Sequence, residues 1–137
     1  MALVSDARVR VIFGVLNTLV ALILLVGIGL IQPRLWAVDL PIALLALAEL
    51  VSAVALFARL PWALRALSVT AWITFGGGLI LVALILLTMV FLRSVHGEDG
   101  LVATAVSGLV VALIVPYTLL LPAVQLLWLK PRLERES

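Results

Sequence analysis

Residues 66–92 read ALSVTAWITFGGGLILVALILLTMVFL, and no charged side chain interrupts them. A helix needs roughly 20 apolar residues, at about 1.5 Å each, to cross the hydrocarbon core of a bilayer. Residues 11–33 and 101–129 are also uncharged and long enough, and residues 40–58 form a fourth run that only Glu49 interrupts. The sequence therefore predicts four transmembrane helices.

The composition supports a lipid environment. Of the 137 residues, 66% are hydrophobic and 12% are charged, whereas soluble domains are about 45–50% apolar and about 25% charged. A chain of this size buries only about two-thirds of its surface, so it could not hide this many apolar residues from water. In lipid, the backbone N–H and carbonyl groups must be paired with one another, as they are in helices. We predict an all-α integral membrane protein, one domain over residues 1–137, whose partner is the lipid bilayer. Its helices are predicted at about 9–32, 40–59, 65–93 and 101–129.

The connections and the basic residues predict the topology. The loops at 32–39, 59–65 and 93–100 are short, which favours an up-down-up-down bundle. Arg34 and Arg93 fall on one side, and the other seven Lys and Arg residues fall on the opposite side, which the positive-inside rule assigns to the cytoplasm. Those seven are Arg8, Arg10, Arg59, Arg65, Lys130, Arg132 and Arg135. Both termini are thus predicted to be cytoplasmic, and the preference for Arg over Lys favours a bacterial inner (plasma) membrane.

Several classes of function lack the residues that they need. The chain has no cysteine and a single histidine, so it offers no thiolate metal site and no pair of histidine ligands for haem. His96, Glu98 and Asp99 share a loop, but their spacing matches neither a zinc nor a calcium signature. We expect no enzyme, no cofactor and no metal. The basic balance reflects the inner-face bias, so no nucleic-acid partner is expected either.

Small residues at steps of four or seven mark the predicted helix contacts, because membrane helices associate where small side chains let their backbones approach. These contacts could lie within the chain or join it to other membrane protein chains, in a hetero-complex or a homo-oligomer. The predicted packing residues are Gly14, Thr18, Ala46, Ala53, Thr70, Gly78, Thr104, Gly108, Ala112 and Pro116.

Glu49 is predicted to lie near the bilayer centre, roughly 15 Å from the level of Arg59. Asn17, Thr74 and Tyr117 lie within several ångströms of that depth by the same rise per residue, so we predict a buried polar layer of these four side chains. A charged, unpaired carboxylate costs about 2.5–3.5 kcal/mol there. Glu49 is therefore a neutral acid that fixes helix register, the partner of a residue on another chain, or a transport site.

Three functions fit this description. The first is a non-enzymatic subunit or scaffold that packs its helices in a larger membrane complex. The second is an oligomeric proton- or cation-coupled transporter that uses Glu49; in size, helix number and its single membrane glutamate the chain resembles the small multidrug-resistance transporters, whose glutamate lies in the first helix instead. The third is translocation of lipids or lipid-linked sugars, because residues 14–20, GVLNTLV, resemble the opening of GtrA-like flippases.

Overall fold

The computed structural model describes residues 2–30, 36–97 and 100–136. Within them lie helices α1 to α5 and one π-helical turn, π1, which separates α4 from α5. Their bounds are α1 Ala2–Leu30, α2 Trp36–Phe57, α3 Ala63–His96, α4 Gly100–Val115, π1 Pro116–Leu120 and α5 Leu121–Glu136. Four segments are long and apolar enough to span a membrane: Asp6–Leu30, Asp39–Phe57, Ala63–His96 and Gly100–Leu133. The prediction of an all-helical chain with four such segments is confirmed.

The helix ends differ from the predicted bounds. The first and third helices begin earlier and the third ends later, at His96, because the absence of charge marks the apolar part of a helix rather than its end. The second helix also begins earlier, at Trp36, and ends at Phe57, with Pro41 inside it as predicted. Residues 31 and 32, which we assigned to the first helix, lie outside the described residues.

The fourth predicted helix is interrupted by π1, and two prolines account for the interruption. Pro116 and Pro122 have no N–H, so the regular helical hydrogen bonds to the carbonyls of Ala112 and Thr118 cannot form. Between them the chain adopts the wider π geometry, in which the Leu121 N–H donates to the carbonyl of Pro116, five residues earlier. Such a turn keeps backbone groups paired where no water is present.

Helices α2 and α3 are each followed by a residue in the left-handed conformation. After α3 this residue is Gly97, with φ of 54°, which glycine adopts without steric cost. After α2 it is Arg59, with φ of 53°. The N–H of Arg59 donates to Leu56 O at 3.3 Å and that of Leu60 to Ala55 O at 3.0 Å, the hydrogen bonds of a Schellman motif. A non-glycine residue in this conformation costs about 1–2 kcal/mol.

Two compact units make up the chain. The first comprises α1, α2, the residues of α3 up to Ala71 and those of α5 from Gln125. The α1 face that packs inward carries Phe13, Asn17 and Val20, at helical spacing. Gly14 meets the ring of Phe57 and Asn17 bonds Ser52, so α1 and α2 lie antiparallel.

The second unit comprises the rest of α3, α4, π1 and α5 as far as Val124. Its tightest approach is at Gly78: a Cβ built there would lie 2.7 Å from both the Cβ and the carbonyl oxygen of Thr118. Nearer the other end of α3, Gly100 approaches the carbonyl of Leu92 equally closely. The backbones of this unit thus meet where glycine leaves room for them.

The predicted packing residues are not all buried. Gly14, Ala46, Ala53, Thr70 and Gly78 are buried, whereas Thr18, Thr104 and Gly108 are half-buried and Ala112 and Pro116 are exposed. A step of four residues advances about 40° around a helix. The ladder from Thr104 to Pro116 therefore turns by about 120° and leaves the contact line. Ala112 and Pro116 are therefore not packing residues within the chain, and a contact with another chain at these positions stays a prediction.

Adjacent glycines of α3 provide a matched test of the contact with Thr118. We expect Gly78→Ala to lower the free energy of unfolding by about 1–3 kcal/mol, because the added methyl group overpacks the approach. Gly77→Ala has nothing within 4 Å of its new Cβ, so it should be neutral or stabilise by up to about 1 kcal/mol. Denaturant titration in mild detergent measures both, and equal effects of the two substitutions would refute the contact.

Candidate functional site

The first unit buries a cluster of polar side chains, which we call the polar cluster. All of its members are at least 95% buried. A polar group withdrawn from water is stable only when it is hydrogen-bonded, so the partners of these side chains define what the cluster does. Its members are Asn17 on α1, Glu49 and Ser52 on α2, Thr70 on α3 and Gln125 on α5.

Asn17 lies at the centre of the hydrogen bonds and connects three helices. Its Nδ2 donates to Ser52 Oγ at 3.3 Å, and its Oδ1 accepts from Gln125 Nε2 at 2.6 Å. An amide side chain has donors and an acceptor on opposite atoms, so one residue can hold α2 and α5 at the same time. Asn17 is 1% exposed, and both bonds are out of reach of water.

Glu49 lies on the same face of α2, about one helical turn before Ser52. It is 4% exposed within the single chain, and it takes part in a hydrogen bond or electrostatic interaction there. Nearby, the Thr70 hydroxyl donates a long bond, 3.5 Å, to the carbonyl of Ala48, the residue before Glu49. Of the three interpretations of Glu49, an internal acid that sets helix register agrees best with this environment.

The other two residues of the predicted polar layer belong to the second unit. Thr74 is buried and also has an interaction partner. Tyr117 is 46% exposed, so its side chain lies on the surface of the unit and not in a buried layer. The rise per residue gives a position along the helix, but it carries no information on the direction of the side chain around that helix.

A second group of contacts joins the first turns of α1 to the last turns of α5. The Arg132 guanidinium forms an ion pair with Asp6 and lies 3.8 Å from the ring centroid of Trp128. Its Nη1 also donates to the backbone carbonyl of Trp128 at 2.7 Å. Pro131 and Arg132 follow Trp128 within about one turn of α5. Trp128 in turn packs edge-on against Phe13, with ring centroids 5.3 Å apart. These contacts hold the start of α1 against the end of α5, at the charged end of the first unit.

The chemistry available to the polar cluster is hydrogen bonding and, at Glu49, proton exchange. Ser52 bonds an amide, which cannot act as a general base for it. Among the residues that the structure describes, no three His, Asp or Glu side chains come close enough together to hold a metal ion. Glu98 and Asp99, considered with His96 for such a role, lie outside the described residues.

Sequence reasoning missed Gln125, although the signal was present. Gln125 is the one amide side chain within the uncharged run of residues 101–129, but it is five residues from Lys130, roughly 8 Å, so the depth estimate did not include it. Thr70 was predicted only as a packing residue and Ser52 was not predicted, and the structure gives each a hydrogen bond between helices. Asp6 and Arg132 are 126 positions apart in the sequence, so no local sequence pattern predicts their ion pair.

The four long apolar segments and the buried polar residues between them define the class: a multi-pass α-helical membrane protein. Comparisons with models of known protein families, with curated proteins and with solved structures give no match for this chain. Its function must therefore be argued from the residues and contacts described above.

A double-mutant cycle tests the bond between Asn17 and Gln125. We expect Asn17→Leu and Gln125→Leu each to destabilise the protein, because each leaves a buried amide without its partner, while the double variant recovers part of the loss. Coupling energies between membrane helices average about 0.6 kcal/mol and reach about 1.7 kcal/mol, and this short, buried bond should lie in that range.

Unfolding in mixed micelles gives the four free energies of the cycle. Thr18→Val is the control, because the Thr18 hydroxyl bonds the Gly14 carbonyl of its own helix at 2.8 Å and joins no other helix. Strictly additive effects of the two leucine substitutions would mean that the amides do not interact.

Proposed function

We propose that this protein is a small non-enzymatic integral membrane protein that serves as a helix-packing subunit or scaffold of a larger membrane assembly. Its setting in this proposal is a bacterial inner membrane, with an up-down-up-down arrangement of the helices and both termini in the cytoplasm. The loops are too short for an extramembrane domain, so any partner has to be met within the bilayer or at its surfaces.

The observation that carries the proposal is the bare backbone of α3 at Gly76 and Gly77. A Cβ at either position would meet nothing within 4 Å, and only 6% of the apolar window of α3 is buried, against 33% for α2. Each glycine within a helix costs about 0.8–1.0 kcal/mol relative to alanine. A second helix that approaches this bare backbone closely would offset that cost through van der Waals contact.

The polar cluster supports a structural role rather than a chemical one. Asn17, Ser52 and Gln125 donate to or accept from one another, and Glu49 has its own interaction inside the chain. Groups that are already paired hold helices in register and do not need a substrate. Proton- or cation-coupled transport by a homo-oligomer is the second candidate, favoured by the burial of a carboxylate within a membrane-spanning segment.

Native mass measurement after gentle extraction tests both candidates. We expect the wild-type chain to leave the membrane bound to a different membrane protein, and Gly77→Leu to release it, because the larger side chain blocks the close approach. Ala105→Leu is the control: it adds a similar volume at an exposed position of the same unit, but on α4 rather than on α3, and should retain the partner.

The remaining outcomes discriminate between the candidates. A homo-oligomer that releases protons when a lipophilic cation is added, and loses this response in Glu49→Gln, would favour the transporter. A monomer in both detergent and native membranes would contradict the subunit proposal.

A further inference from the structure

We propose that a cleft between the start of α1 and the end of α2 binds the headgroup phosphate of an anionic phospholipid. The cleft has a volume of about 420 Å³ and is lined by Ala7, Arg8, Val11, Ile12 and Arg59. It lies entirely within the first unit and is distinct from the polar cluster. We call it the arginine cleft.

One arginine lies on α1 and the other in the turn after α2, more than fifty residues apart in sequence, and both line the same small volume. Both are exposed, so their guanidinium groups are available to a ligand. Guanidinium is planar and presents several N–H groups in a fork that matches the oxygens of a phosphate. Two such groups around one cleft suit a phosphodiester, which carries one negative charge and two free oxygens.

The nearest acidic side chain in the sequence does not neutralise the arginine cleft. Asp6 precedes Arg8 by two residues, but its carboxylate is paired with Arg132. No acidic residue is among those that line the cleft in the described part of the chain. The cleft is therefore a concentration of positive charge, and the charge complementary to it is that of an anion.

The apolar part of the lining points to a lipid rather than to a soluble anion. Val11 and Ile12 are 48% and 54% exposed, and they follow Arg8 by one turn in the direction of the apolar core of α1. A phospholipid whose phosphate contacts the arginines would lay its glycerol and upper acyl chains along these side chains. Basic pockets between membrane helices bind anionic headgroups in this way.

The backbone at Arg59 gives independent support. The Schellman motif after α2 places Arg59 in a left-handed conformation. Glycine is the usual residue in this conformation, and Gly97 adopts it after α3. Non-glycine residues in this conformation cluster at active sites and ligand-binding sites. The position of Arg59 in the lining of the cleft fits this pattern.

The alternative is that Arg8 and Arg59 serve only as topogenic charges at the membrane surface. In that case any basic residue at the same end of the first unit is equivalent. Arg10 is the matched control, because it lies two residues after Arg8 on α1 and does not line the cleft. The two accounts therefore predict different results for the same loss of one charge.

The test is native mass spectrometry of the full chain in mild detergent, titrated with phosphatidylglycerol or with phosphatidylcholine of the same acyl chains. We expect a single phosphatidylglycerol molecule to bind in preference to phosphatidylcholine. Arg8→Gln and Arg59→Gln should each weaken that binding about fivefold, the effect of removing one cation at an anionic lipid surface. Arg10→Gln should leave it unchanged.

Arg59→Gly keeps the result interpretable if a glutamine variant fails to fold. This substitution should raise the midpoint of thermal unfolding in detergent, because it relieves the left-handed backbone, and should still weaken phosphatidylglycerol binding. Equal binding of the two lipids, or equal losses for Arg8, Arg10 and Arg59, would overturn the proposal. Displacement of the lipid by millimolar inorganic phosphate would overturn it too, because the site would then select free phosphate.

Discussion

In the interior of a bilayer an unpaired backbone N–H or carbonyl costs several kcal/mol, because no water can replace the missing partner. This constraint leads to continuous helices and explains how the chain treats the places where a helix is disturbed. At Pro116 and Pro122 the backbone widens into π1 and remains bonded. After α2 the last carbonyls accept from Arg59 and Leu60, even though the motif places an arginine in a conformation that suits glycine.

Once the helices are formed, lipid gives them no hydrophobic reason to associate, and the two units solve this problem differently. The first unit uses polar side chains: Asn17 joins α1 to α2 and α5 through one acceptor and one donor. The second unit uses close backbone approach at Gly78 and Gly100. Hydrogen bonds fix direction and register, whereas glycine contacts depend on shape alone. The partner surface that we propose lies on α3 for a separate reason, the open backbone at Gly76 and Gly77.

The sequence predicted the helices well because lipid imposes a simple rule on them. Runs with at most one charge located all four segments that are long and apolar enough to span a membrane, and the depth estimate drew attention to Asn17 and Glu49, both of which are buried. The same reasoning did not predict that Tyr117 is 46% exposed, because the rise per residue gives height and not direction around the helix. In helices that are apolar on nearly all sides, the residues of the inward face do not differ enough from the others to give a periodic pattern in the sequence.

Contacts between residues that are far apart in the sequence could not be predicted, for a further reason. Gln125 reaches Asn17 across 108 positions, and Arg8 shares a cleft with Arg59, only because the helices pack as they do. The left-handed conformation of Arg59 could not be foreseen, since sequence patterns lead one to expect glycine or asparagine there. Such contacts depend on tertiary packing, which one chain read in isolation does not specify.

The central claim is that lipid surrounds these helices, and cysteine accessibility tests it most directly because the chain contains no cysteine of its own. Ile23 and Leu84 are each 56% exposed in the structure, so only lipid, or a partner chain within the membrane, would shield a cysteine at either site. A charged thiol reagent, applied to membrane fragments open on both sides, should label Ser94→Cys rapidly and leave Ile23→Cys and Leu84→Cys unmodified until the membrane is dissolved in denaturing detergent. Labelling of all three at similar rates in the intact membrane would contradict the account.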